Sequence, residues 1–240
     1  MFDVVIEGGM VVDGTDAPAK RADVGVKEDR IAAIGDLTGL EARRVVDAYG
    51  LTVAPGFIDP HVHSEGDLLV NPQHANGVRQ GITTEILGID GMSYAPLSHD
   101  NYLMYRRWLS GLLGEPPENL DMSSVTAFRA NYNRKVAINT AYLVPNGTMR
   151  LETVGFMDVP LIGDAMDRAK GLVQEGMEQG AVGFSTGSSY YPGPWTSTDE
   201  LVELCEVVRD AGGVLMSEPR QKNPERAFGG GGVAEAVEIA

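Results

Sequence analysis

An α/β fold of parallel βα units, preceded by a short all-β segment, is what this sequence predicts. Three observations carry that prediction. Glycine-bounded, β-branched runs alternate with stretches of helical apolar spacing from residue 51 onward. The first 50 residues instead carry short strand-like runs broken by turn residues. At the end of one apolar run, His61 and His63 stand at i, i+2, which on an extended backbone directs both imidazoles to one side.

Between Phe2 and Val46 the runs are Val4-Val5-Ile6, Val11-Val12, Val24-Gly25-Val26, Ile31 to Gly35 and Arg44-Val45-Val46, separated by Gly8-Gly9 and Asp13-Gly14. This spacing fits a small β-sandwich or meander, so residues 1–50 are expected to form part of a sandwich domain. The run from Leu51 to Asp59 reads as a buried strand ending at His61 and His63. A helix is expected around Pro72 to Gln80, then a second strand over Gly81 to Gly88 with Asp90 just past its C-terminal end. Residues 92–134 form an insertion with helical periodicity over Tyr102–Leu113 and Val125–Tyr132.

A third strand, Val136 to Val144, delivers Pro145-Asn146-Gly147-Thr148 to the same end of the sheet. A helix from Leu161 to Gln179 precedes a fourth strand, Ala181 to Ser185, and its loop with Tyr190 and Tyr191. Thr198-Asp199-Glu200 opens a helix that runs to Asp210, and Gly212-Gly213 breaks it. The fifth strand, Val214 to Ser217, ends at Glu218-Pro219-Arg220, and a last helix follows the glycines at 229–232. The result is about five βα units over residues 51–240, short of a closed (β/α)8 barrel.

Bulk properties narrow the function classes. The chain has 240 residues, 43% of them hydrophobic, enough for a substantial core. A formal net charge of -15 opposes binding to nucleic acid or an anionic membrane. No apolar run is long enough to span a bilayer and no signal peptide opens the chain, so a cytoplasmic location is expected. Cys205 is the single cysteine, which excludes an intrachain disulfide; it sits on the apolar face of a helix and reads as core. His74 and His99 lie outside any motif and read as surface or helix residues.

A bare His-x-His is commonly structural. Here it follows Pro55-Gly-Phe-Ile-Asp59, and that string joins two others: Gly81-Ile-Thr-Thr with Gly88 to Gly91, and Gly180-Ala-Val-Gly-Phe-Ser-Thr-Gly187 with Tyr190-Tyr191-Pro192. Together they resemble the amidohydrolase superfamily, and within it the D-aminoacylase (N-acyl-D-amino-acid deacylase) branch, over nearly the whole chain. The resemblance implies the N-terminal part of a TIM-type barrel enzyme that uses one or two divalent metal ions, Zn2+ first with Mn2+ or Fe2+ as alternatives. It matches His61 and His63 to the first-strand ligand pair. Asp90 falls where these enzymes have a cysteine ligand, Glu218 where they have a fifth-strand histidine, and Asn146 where they have a third-strand histidine. A carboxylate oxygen is a competent ligand, so the expected metal set is His61, His63, Asp90 and Glu218, shifted toward harder ions.

Asn146, Tyr190, Tyr191 and Arg220 are candidate substrate contacts, the last because a guanidinium grips a carboxylate by two hydrogen bonds. The related hydantoinase and dihydroorotase branches use a carboxylated lysine on the fourth strand; Val182 to Ser185 contains none, and Lys170 lies on the preceding helix. By the same resemblance, a further histidine ligand and the catalytic aspartate lie beyond Ala240. Three explanations follow for so open a barrel. A second polypeptide supplies the missing strands and the general base; the sequence is a piece of a longer chain; or the chain is a non-catalytic scaffold with a degenerate site. The expectation adopted is a subunit of a metal-dependent amidohydrolase cleaving the C–N bond of an N-acyl amino acid or similar small amide, active as a heteromer.

Overall fold

The computed structural model describes residues 1–240 and divides them into two compact units, Met1–Gly56 and Phe57–Ala240. In the first, β1 (Phe2–Val11), β2 (Lys20–Lys27), β3 (Arg30–Gly35) and β4 (Ala42–Asp47) form a mixed sheet in the order β3-β2-β1-β4. β5 (Thr52–Val53) adds to the far end of β1. The pairings of β2 with β1 and β3 are antiparallel, and that of β4 with β1 is parallel. This is one layer of the expected sandwich. Gly8-Gly9, which reads as a break, is instead a bulge inside one ten-residue strand. Gly8 takes φ +72, and the Asp23 carboxylate accepts from Gly8 N, which satisfies the amide that the bulge frees, while its other oxygen accepts from Leu37 N beyond β3.

The second unit begins with β6 (Phe57–Asp59), α1 (Glu65–Val70), α2 (Ala75–Val78) and β7 (Ile82–Leu87). α3 (His99–Trp108), α4 (Ser110–Leu113) and α5 (Val125–Tyr132) make up the insertion before β8 (Asn139–Pro145). Then come α6 (Asn146–Val154), α7 (Asp164–Glu178), β9 (Gly183–Gly187), α8 (Thr198–Asp210), β10 (Val214–Glu218) and α9 (Gly232–Ile239). The five strands pair in parallel in the order β10-β9-β8-β7-β6, a curled half-barrel sheet with two free edges. Parallel neighbours joined through helices are what the strand-helix alternation dictates.

The helices bury one face of this sheet. Gly176 of α7 lies so close to Val144 of β8 that an added Cβ would stand 2.5 Å from a valine methyl. The insertion is no loose appendage: Tyr102, Tyr105, Phe128 and Tyr132 are fully buried, and the Phe128 ring lies 4.3 Å from that of Tyr142 on β8. Ser197 caps α8 through a reciprocal capping box with Glu200, one residue before the Thr198 start expected for this helix.

One expectation fails here. The strand before His61 is not buried: Phe57 is 66% and Ile58 62% exposed, because β6 is an edge strand with β7 as its one neighbour. In addition, α6, an element not expected from the sequence, starts directly at Asn146. Gly147 N donates to Gly91 O and Thr148 Oγ1 to Ser93 O, so tertiary contacts organise that first turn. No helix is long and apolar enough to cross a membrane.

Candidate metal centre

The C-terminal ends of the parallel strands gather the candidate residues. β6 delivers His61 and His63, whose rings sit edge to face at 5.9 Å between centroids. β7 delivers Asp90, held at φ +53, a left-handed conformation that aspartate tolerates better than most side chains. The loop carrying it is tied down from β9. Ser185 Oγ accepts from Gly91 N and donates to Gly88 O, and Gly187 lies so close that any side chain there would overlap the Asp90 carbonyl.

Asp90 Oδ2 lies 3.3 Å from His61 Nε2 and 3.2 Å from His63 Nε2, and the three ligand atoms all fall within 4.8 Å of one another. Ligands about 2.0–2.1 Å from a tetrahedral zinc stand about 3.3 Å apart, so both nitrogen-to-oxygen spacings match the edges of such a site. A purely hydrogen-bonded arrangement would need both imidazoles to donate to the same oxygen. Exposure is graded across the group: the His61 side chain is 65% exposed, His63 17% and Asp90 10%. Burial disfavours a charged His63, but the Asp90 hydrogen bond and the charges of Glu65, Asp90 and Glu218 outweigh it and raise its pKa.

Glu218, at the end of β10, is close enough for its charge to act on His63 but stands outside this group of three. Its Oε2 is buried without a hydrogen-bond partner. Asn146 is buried at the start of α6; its Nδ2 donates to Thr196 Oγ1 while Oδ1 has no partner. Tyr190 and Tyr191 are half-buried, and the Tyr191 ring lies 4.9 Å from Trp195 with Lys222 Nζ 5.6 Å from its centroid. Arg220 is different from the carboxylate clamp expected of it. Its side chain is 1% exposed and every donor is engaged: Nε and Nη2 on Glu235, Nη1 on Pro194 O, Nη2 also on Thr196 O at 2.6 Å. It holds the turn that carries Thr196, and through Thr196 it reaches Asn146.

Four polar residues to which sequence reasoning gave no role in the site, Ser64, Glu65, His74 and Glu85, are buried or nearly so beside the histidine pair. Glu85 is 1% exposed in mid-strand, His74 Nε2 is 2.6 Å from its Oε1, and Ser64 Oγ donates to its Oε2. His74 is therefore no surface residue; its side chain is 11% exposed. Glu65, fully buried, accepts from Gly88 N at 2.9 Å and keeps Oε2 unpartnered; burial raises its pKa. The available signal was an acid inside the apolar run Ile82–Leu87, a position where an unpaired charge is not tolerated.

A half-barrel of parallel strands with a His-x-His pair and a carboxylate at its C-terminal rim is the architecture of the metal-dependent amidohydrolases. Comparison with known proteins narrows this. The chain is 34% identical over 234 residues to D-aminoacylase of Alcaligenes xylosoxydans xylosoxydans, covering 92% of this chain and 45% of that protein. The crystal structure of a D-aminoacylase superposes with a TM-score of 0.80 at 33% identity, over 92% of this chain and 46% of that one. The N-acyl-D-glutamate deacylase of Bordetella bronchiseptica, solved with zinc and a phosphonate inhibitor, gives 0.83 at 33% identity over 99% and 48%. No protein-family model matches the sequence. The chain is a homologue of the N-acyl-D-amino-acid deacylases, aligned with their N-terminal portion, and spans about half the length of the relatives it matches.

Proposed function

We propose that this chain carries the metal-holding half of a hydrolase that cleaves the C–N bond of an N-acyl amino acid or a similar small amide. The observation that carries the reading is the convergence of His61, His63 and Asp90 from two adjacent strand ends at ligand spacing. These three residues would hold the ion, with Glu218 completing the set from β10. Zinc is the first choice, as in the zinc-bound Bordetella relative, and a D-aminoacylase is described with a binuclear metal centre. The exchange of softer ligands for carboxylates leaves Mn2+ and Fe2+ as alternatives. When bound, a divalent ion would supply Lewis-acid polarisation of the scissile carbonyl and a source of nucleophilic water near neutral pH.

The chain's own residues supply orientation. Asn146, with its amide nitrogen fixed on Thr196, offers an unpartnered carbonyl oxygen to a substrate N–H. Tyr190 and Tyr191 flank the approach from the β9 loop, and Arg220 serves by holding the Pro194–Thr196 turn in place. The group that moves the proton, and the strands that cover the free edges of β6 and β10, come in this proposal from a second polypeptide. Exposed Phe57 and Ile58 on one edge strand and Val214 on the other support a covered state.

The test is native mass spectrometry of the protein isolated from its own host without chelators, followed by hydrolysis assays on N-acetyl-D-amino acids. The expected species contains this chain, a second polypeptide and one or two metal ions. A metal-free assembly of this chain alone would overturn the reading in favour of a scaffold. His61→Ala, at an exposed position, should abolish turnover with little change in fold.

A further inference from the structure

The histidine pair stands on weak ground. β6 is three residues long, bonded on one side, and exposed. A first-strand ligand loop in that position needs fixing from elsewhere, because an edge strand offers few backbone bonds to hold it. His61 N donates to the Asp59 carboxylate, which shapes the turn but anchors it to nothing beyond β6. The anchors lie on the inner side, on β7.

We propose that Glu85 is a positioning residue for this pair: its buried carboxylate, held in place by His74, fixes Ser64 and with it the backbone that carries His63. The inference rests on the metal reading above. Four observations support it. Ser64 follows His63 directly and its hydroxyl donates to Glu85 Oε2. Leu68 N in turn donates to Ser64 O, so the same residue starts α1. Burying Glu85 at 1% exposure in a strand is costly unless both oxygens are engaged, and the second faces His74 Nε2 at 2.6 Å, close although without a well-aligned N–H···O angle. Finally, the surroundings give way to that imidazole. His74 adopts φ 41, ψ 47, a strained conformation for a non-glycine residue, and any Cβ at Gly77 would overlap its ring.

A left-handed backbone at His74 and a missing side chain at Gly77 together place that imidazole against Glu85 Oε1. Val or Ile at residue 85 would suit the strand better. The carboxylate instead ties the edge segment to an interior strand, through the residue next to His63 rather than through an imidazole.

The experiment measures Zn2+ affinity of the metal-stripped 240-residue chain by competition with a chromophoric chelator, alongside its thermal melt. Glu85→Val is expected to weaken zinc binding about 10–100-fold. Glu85→Gln, which can still accept from Ser64, should recover most of that loss, and Ser64→Ala should reproduce it. Because all act through one contact, Ser64→Ala combined with Glu85→Val should be no weaker than Glu85→Val alone. A purely structural Glu85 would lower the melting temperature and leave the affinity of the folded protein unchanged. Folded Ser64→Ala and Glu85→Gln variants that bind zinc as the unaltered chain does, with Glu85→Val doing the same, would overturn the proposal while the metal site stands. An unaltered chain that binds no zinc, matching His61→Ala, would instead overturn the metal reading, and the proposal with it.

Discussion

Gly187 is the position where a single methyl group should test the architecture of the site. It ends β9, paired in register with Glu218, and its missing side chain is the space into which the Asp90 backbone fits. A Cβ built there overlaps the Asp90 carbonyl oxygen and carbon and lies 2.9 Å from its Cα. All three are backbone atoms, so no side-chain rotation relieves the clash, and either β9 or the Gly88–Gly91 loop must move. That loop has little freedom, since Gly91 itself approaches Gly187 N and both Gly88 and Gly91 are bonded to Ser185. Over-packing of this kind costs about 1–3 kcal/mol. At roughly 2–4 °C per kcal/mol for a domain of this size, Gly187→Ala should melt about 2–12 °C lower. Displacing Asp90 from the two imidazoles should also weaken zinc binding by about tenfold or more. Differential scanning calorimetry and chelator competition read the two effects. Gly171→Ala is the control, because an added Cβ at Gly171, in the middle of α7, meets nothing within 4 Å, and there the exchange should stabilise by about 0.5–1 kcal/mol. A Gly187→Ala protein with unaltered melting and zinc affinity would refute the reasoning.

Asp90→Asn keeps a side chain that tolerates the left-handed backbone and removes the charge, so it should lose zinc affinity with little change in melting, whereas Asp90→Ala should add about 1–2 kcal/mol of backbone strain. Equal melting temperatures for the two would contradict this. Arg220→Ala leaves Glu235 buried without its counter-charge and should cost about 3–5 kcal/mol; faster amide exchange throughout α9 is the accompanying sign, and unchanged protection there would count against it. Half-buried against the core, the Cys205 thiol is pushed up to about 12, so at pH 8 little of it is thiolate. Native protein should react with a thiol reagent far more slowly than denaturant-unfolded protein, and rapid stoichiometric labelling of the native form would place Cys205 outside the core.

What could be read from the sequence was whatever local chemistry encodes. The start of α8 at Thr198-Asp199-Glu200 was legible, and β9 and β10 follow from apolar runs bounded by glycine. His61 and His63 were legible because their spacing on an extended backbone is itself a geometric statement. Edge status is not local. Phe57-Ile58 looks the same whether a strand has one neighbour or two, so its exposure could not be foreseen. α6 was not foreseen: it begins at Asn146-Gly147, and its first residues bond to Gly91 and Ser93, contacts that no local spacing announces. Arg220 looked like a ligand group because its partner, Glu235, lies fifteen residues away on a helix with no visible connection to it.

The largest omission, the Ser64–Glu85–His74 contact, has the same cause and says something about how this site is built. Its members come from the loop after β6, from β7 and from the start of α2, and no spacing rule joins them. Yet β7 also supplies Asp90, so in the proposed site one strand provides both the third candidate ligand and the anchor for the first two. That economy matters because β6 is a free edge. Were the histidine pair to depend on hydrogen bonds along β6 alone, its geometry would change whenever that edge gained or lost a neighbour. With Glu85 fixing Ser64, and Glu65 bonded to Gly88 N, the histidine loop is referred to β7, which is paired on both sides. The ligand cluster therefore belongs to the interior of the half-barrel although two of its three residues follow an exposed strand.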